Sequence, residues 1–171
     1  MAKRKNIQNN YVKLGMILFA VILITLIASN LYTNAVKRNI DVGHLSSRVW
    51  TIEYDEISDV LVELSGDTFL YISYTGDRDI YNLDVSLRRM INRYDLREQF
   101  IYLDMIEQME NNNFLEDLNE TLSLDEMRIR ALPAILYYQD NQLVEIIDSH
   151  NQLLRASDFS HLLEKFEIIR R

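Results

Sequence analysis

Cysteine is absent from the 171 residues, and proline occurs once. Without cysteine there are no disulfides, no thiolate zinc sites and no thiol nucleophile, although a cysteine-free domain suits either redox compartment. One proline and four glycines leave no low-complexity linker and no glycine-rich phosphate loop. The three histidines, His44, His150 and His161, are far apart in sequence and form no HExxH or paired-ligand spacing, which assigns them to the surface rather than to a zinc or catalytic centre. No G-x-S-x-G occurs, and Ser73 sits inside an apolar run, so a serine nucleophile with its oxyanion hole is not expected. No metal and no cofactor is expected on these grounds. Acids are missing from the first forty residues, which hold Lys3, Arg4, Lys5, Lys13, Lys37 and Arg38. All 26 Asp and Glu lie beyond residue 40, so the formal net charge of −8 averages two unlike parts. The acidic part excludes nucleic acid as a partner, since phosphate binding needs clustered Lys and Arg. It is equally unsuited to lying flat on anionic lipid.

What the amino-terminal part does have is a long uncharged run, Leu14 to Thr33. As a helix rising about 1.5 Å per residue it reaches about 30 Å, the thickness of a bilayer's hydrocarbon core. Thr25 and Ser29 can bond back to helix carbonyls, leaving Asn30 as the awkward polar residue near one end. Tyr11 and Tyr32 bracket the run as interfacial aromatics do. A cleaved signal peptide is the competing reading, but its apolar core is usually about 7–15 residues. A lipoprotein anchor needs a cysteine. The expected division is a cytoplasmic tail over 1–11, a membrane-spanning helix over 12–33, a stalk over 34–47 and a folded domain over 48–171. Lys3, Arg4, Lys5 and Lys13 precede the core of the run and only Lys37 and Arg38 follow closely, so the positive-inside rule puts the amino terminus in the cytoplasm and the acidic domain outside.

Beyond the stalk, strands and helices alternate. Arg48–Tyr54 is rich in β-branched and aromatic residues and reads as a strand; Ile57, Val60, Leu61 and Leu64 then recur at helical spacing up to Gly66. Thr68–Thr75 reads as a more buried strand, and Ile80, Leu83, Leu87, Met90, Ile91 and Tyr94 as one helical face. Gln99–Met105 is a third strand. A helix over about 113–127 turns Phe114, Leu115, Leu118 and Leu122 inward, in the most acidic stretch of the chain, Glu107 to Glu126. That stretch is a solvated face or a dock for a basic partner. Asn119-Glu120-Thr121 matches a glycosylation sequon. Pro133 opens a hairpin that turns at Asp140-Asn141, and a final helix, with Ser157 as its plausible cap, buries Phe159, Leu162, Leu163, Phe166 and Ile169. The order β-α-β-α-β-α-β-β-α is α/β: a parallel core that needs helical crossovers, with antiparallel strands added by the hairpin.

This order, with an elbow after the second strand and a lone proline opening the hairpin, resembles the thioredoxin fold over about residues 48–171. "FLYISYTGDRD" looks like the strand and active-site turn of membrane-associated or secreted thioredoxin-like proteins of bacteria, closest in texture to the bacteriocin-transport-accessory type. "RALPAILYYQDNQLVEI" looks like the cis-proline segment of that family. The resemblance implies a cis peptide before Pro133, facing the elbow, in a loop that binds extended peptide through its backbone. The departure is chemical. Where the redox members carry Cys-x-x-Cys, this chain has Gly76-Asp77-Arg78-Asp79, which forms no mixed disulfide. Asp77 and Asp79 instead suit a helix amino terminus as caps. Tyr71, Tyr74, Tyr81, Tyr137 and Tyr138 gather in the same two segments; strand alternation makes some of them core and leaves others for a peptide-binding surface. The expected function is therefore not enzymatic. It is that of a membrane-anchored adaptor holding a protein or peptide partner through Gly76, Asp77, Arg78, Asp79, Leu132, Pro133 and Ala134, with the bilayer engaged through 12–33. The alternative is a structural subunit of a secretion or envelope complex, with the fold as inert scaffold.

Overall fold

The computed structural model describes the backbone of residues 2–40 and 44–169 and the side chains of 11–33 and 44–169. The chain divides into two compact units, Met1–Arg38 and Asn39–Arg171.

One helix, α1, Ala2–Ile40, makes up the described part of the first unit and runs two residues past its boundary. Its Tyr11–Thr33 stretch is long and apolar enough to cross a membrane. None of that stretch is buried: Phe19, Leu26 and Leu31 are about two-thirds exposed. Thr25 and Thr33 donate their hydroxyls to the carbonyls of Val21 and Ser29, both at 2.9 Å, which removes two polar groups from the helix surface. Residues 34–40, expected as stalk, continue α1; residues 41–43 lie outside the described residues. From His44 onward the chain packs on the second unit, where Leu45 is fully buried.

The second unit holds a five-stranded sheet of order β1-β3-β2-β4-β5, formed by β1 (Trp50–Ile52), β2 (Asp67–Ser73), β3 (Phe100–Asp104), β4 (Ala134–Gln139) and β5 (Gln142–Asp148). β1, β3 and β2 are parallel; β4 runs antiparallel to β2, and β5 to β4. The crossovers supply α2 (Ile57–Glu63), α3 (Arg78–Tyr94) and α4 (Phe114–Thr121), and α5 (Ala156–Lys165) follows the hairpin. Side-chain alternation sorts each strand between two cores. Leu70, Ile72, Ile101, Leu103 and Leu136 pack with α2 and α4. Phe69, Tyr71, Phe100, Tyr102 and Tyr137 pack with α3 and α5. Phe69 centres the second core, stacked on Tyr137 at 5.2 Å and meeting the edge of Phe159 at 5.2 Å. The α/β order expected from the sequence is the order observed.

Three boundaries differ from expectation. β1 keeps only Trp50–Ile52 of the expected Arg48–Tyr54, because the Arg48 and Val49 N–H groups turn back to the Leu45 carbonyl and Tyr54 opens a 3-10 turn. α4 stops at Thr121 rather than near Met127. Ser123 takes a left-handed conformation, φ 53°, and the Leu124 N–H turns back to the Asn119 carbonyl. The cause is tertiary. The Asn119 side chain is buried, accepts from the Ile129 N–H at 2.8 Å and donates to the Ile129 carbonyl at 2.9 Å, so it draws the chain back instead of letting the helix run on. The same burial closes the sequon to a glycan. At α5, Ser157 lies inside the helix. Arg155 holds the cap position, and its N–H donates to Asp158 at 2.8 Å.

Candidate functional site

β2 ends at Ser73, and the chain leaves the sheet through Tyr74 and Thr75 to Gly76. Gly76 sits at φ +90°, a conformation that favours glycine because it has no Cβ. Asp77 then caps α3. Its Oδ1 accepts from the Asp79 N–H at 2.7 Å and the Ile80 N–H at 3.1 Å. A carboxylate is favoured there by the unpaired N–H groups and by the helix dipole. Gly76, Asp77, Arg78 and Asp79 are all exposed. The elbow is thus a capped helix start open to solvent, and Asp77 already serves two donors.

The Leu132–Pro133 peptide is cis. Pro133 is buried, and its carbonyl accepts from the Ser149 hydroxyl at 2.8 Å; Ser149 Oγ in turn accepts from the Leu154 N–H at 3.1 Å. The Arg130 N–H donates to Asp148 at 2.8 Å, which ties the approach to the hairpin against β5. Leu132 is half-buried between these anchors, and among the described residues its backbone N–H and C=O have no hydrogen-bond partner. Ala134 pairs with Ile72 across the β2–β4 ladder. Pro133 and Leu132 therefore leave the same end of that ladder as Ser73, Tyr74 and the elbow.

The tyrosines divide. Tyr71, Tyr137 and Tyr138 belong to the core, while Tyr74 and Tyr81 stay half-buried beside the elbow. Tyr137 and Tyr138 stand at the turn end of the hairpin, where Asp67 pairs with Gln139, rather than near the proline.

Sequence periodicity gave no role to Asp84, which the structure places among the most buried polar groups, 2% exposed on α3. The Tyr71 hydroxyl donates to it at 2.8 Å. Burial pushes its carboxyl up to about 7. Hydrogen bonds from Tyr71 and the His44 backbone pull the other way, and the Asp104 charge adds to the rise. Burial and the Asp84 charge raise Tyr71 well above the usual phenol range. Two hydroxyls close by in sequence and sheet register, on Ser73 and Tyr102, are buried with no hydrogen-bond partner among the described residues. The available signal was Asp84 itself, an acid on the apolar stripe between Ile80 and Leu87. His44 packs edge-on against Tyr81 at 5.3 Å and bonds Arg88 at 2.9 Å; burial, then Arg88 and Arg48, hold its pKa below the usual value.

No family model matches this chain, and no curated protein matches it. Solved structures do. Thioredoxin f2 of Chlamydomonas reinhardtii superposes with a TM-score of 0.52 at 10% identity, covering 71% of this chain and 99% of that one. A structure of the ferredoxin:thioredoxin reductase complex with thioredoxin f2 superposes with a TM-score of 0.51 at 16% identity, covering 75% of this chain and 99% of the matched one. At such identity the likeness shows the fold, which is thioredoxin-like, and nothing of activity. The elbow at which the resemblance expects two thiols has none.

Proposed function

We propose that this thioredoxin-like domain, having no cysteine, works by holding a polypeptide rather than by exchanging disulfides, and that α1 anchors it in a membrane with the amino terminus cytoplasmic and the domain outside. The supporting observation is the backbone of Leu132. Among the described residues it has a donor and an acceptor without partners, on a loop tied down on both sides by Ser149 and Asp148, beside an exposed elbow. Unpaired backbone groups at the end of a ladder are what an extended peptide adds to. The site is Gly76–Asp79 with Leu132, Pro133 and Ala134, and no bond is made or broken there. The sequence resemblance of the elbow and proline segments to the bacteriocin-transport-accessory type supports, as the partner, a polypeptide of a transport or envelope complex.

Photocrosslinking from the full-length protein in its own membrane tests this. A crosslinking amino acid at Arg78 and at Leu132 is expected to capture the same polypeptide, and one at Glu98 is expected to miss it. Capture of unrelated products from the two positions, or equal capture from Glu98, would overturn the assignment.

A second reading is favoured by the unburied apolar surface of Tyr11–Thr33. In it the domain is an inert scaffold and α1 makes the contacts with an envelope complex. Exchange of α1 for an unrelated membrane helix separates the two, since association then persists under the first reading and is lost under the second.

A further inference from the structure

The helical layers of the second unit are unequally charged. Across the α2/α4 layer the chain carries acids such as Asp55, Asp59, Glu63, Glu116 and Glu120, and no Lys or Arg occurs from Val49 to Asp77 or from Glu98 to Met127; Arg128, the next residue, lines a neighbouring recess with Glu116, Glu120 and Asp125. Arg88, Arg89 and Arg93 are all on α3, which packs on the opposite face. The acidic layer contains a cleft of about 640 Å³ between α2, the loop after α4 and the β4–β5 hairpin. That volume lies within the range of ligand pockets. Leu61, Val62, Leu124, Met127 and Leu143 furnish its apolar wall, and Asp125 and Glu126 belong to its lining as well. Val62 is 77% exposed and Met127 40%. The loop that forms one wall is held by the paired hydrogen bonds of Asn119 to Ile129, so the cleft is preformed.

One further group in the lining points to a ligand. Tyr138 is 5% exposed, and its hydroxyl is buried with no hydrogen-bond partner among the described residues. A buried hydroxyl without a partner is costly, and polar groups of this kind in native structures mark a missing water or ligand.

We propose that this cleft binds a basic peptide segment, inserting an apolar side chain against Val62, Met127 and Leu143 while its Lys or Arg residues face Asp125 and Glu126. Charge complementarity selects the partner's sign, and the apolar wall supplies the anchor. The cleft stands at the hairpin-turn end of the sheet, where Asp67 pairs with Gln139, whereas the elbow stands at the other end, where Ile72 pairs with Ala134. It is a second site, and its failure would leave the elbow reading untouched.

The test uses the full chain in phosphatidylcholine nanodiscs, with empty discs as blank, and a fluorescein-labelled lysine-rich peptide carrying leucine anchors. Saturable binding is expected. Affinity should fall about tenfold when the leucines become glycine, when the lysines become glutamate, and in the protein variants Val62→Arg and Asp125→Asn/Glu126→Gln. All three altered protein residues are exposed, so unchanged melting temperatures are expected to accompany the loss. Glu98→Gln should bind as the wild type does. Binding no greater than to empty discs, binding indifferent to the leucines, or full affinity in Val62→Arg would overturn the proposal. So would a Val62→Arg variant that changes only the number of copies per disc, because the cleft would then belong to a second copy of this chain.

Discussion

Asp84 shows how one side chain couples the domain to pH. Its carboxyl titrates near 7 when folded, against about 3.9 in an unfolded chain, because burial disfavours the charged form. The folded state therefore holds a proton that the unfolded state has released between those values. Its contribution is fully present below about pH 4 and is lost as pH rises towards 7, by up to about 4 kcal/mol. Asp84→Asn keeps the shape and removes the titration. The stability difference between wild type and Asp84→Asn, measured by urea unfolding across that window, should fall with rising pH; a flat difference would refute the burial of an ionisable group there. Asp77 is the opposite case, an exposed acid in a cap. Asp77→Ala removes the acceptor for two N–H groups and should cost about 1 kcal/mol while the fold persists. Its capping role was legible in the sequence, since an acid following a glycine elbow and preceding an apolar helical face is a start signal. Asp84's burial was legible only as an acid on an apolar stripe, because the tyrosine that meets it comes from another element.

Elements declared themselves where local pattern and burial agree. β2 is a continuous apolar run because both its faces are covered, and α3 and α5 show a stripe because only one face of each is. The hairpin was marked by Pro133 before it and by Asp140-Asn141 within it; both turn residues take positive φ, at 47° and 65°. The end of α4 was not legible, since Leu122 and Leu124 continue a plausible helical pattern and the residue that stops the helix acts through Ile129. Asn119→Ala would leave the N–H and C=O of Ile129 buried without partners and should destabilise the domain by about 2–4 kcal/mol. Chemical denaturation measures this, and a loss below about 0.5 kcal/mol would mean that Asn119 does not hold the loop.

At the scale of the whole chain, the units differ in what they need from their surroundings. The Tyr11–Thr33 surface is apolar with nothing covering it, while the second unit buries two apolar cores beneath charged layers. Alkaline carbonate should therefore fail to extract the protein from membranes, and its release into the supernatant would contradict the anchor. The fold came through in the sequence because the β-α alternation constrains topology tightly. The proposed use of the elbow was expected only from the family resemblance, because unpaired backbone at Leu132 leaves no trace in residue identity. That backbone is what the account depends on, and an atom-level substitution reaches it. Replacing Leu132 with its α-hydroxy acid exchanges the N–H for an ester oxygen, and among the described residues that N–H has no partner to lose. Capture of the polypeptide that crosslinks from Leu132 is predicted to fall about fivefold, the worth of about 1 kcal/mol, with the melting temperature nearly unchanged. Undiminished capture by the ester would contradict the account.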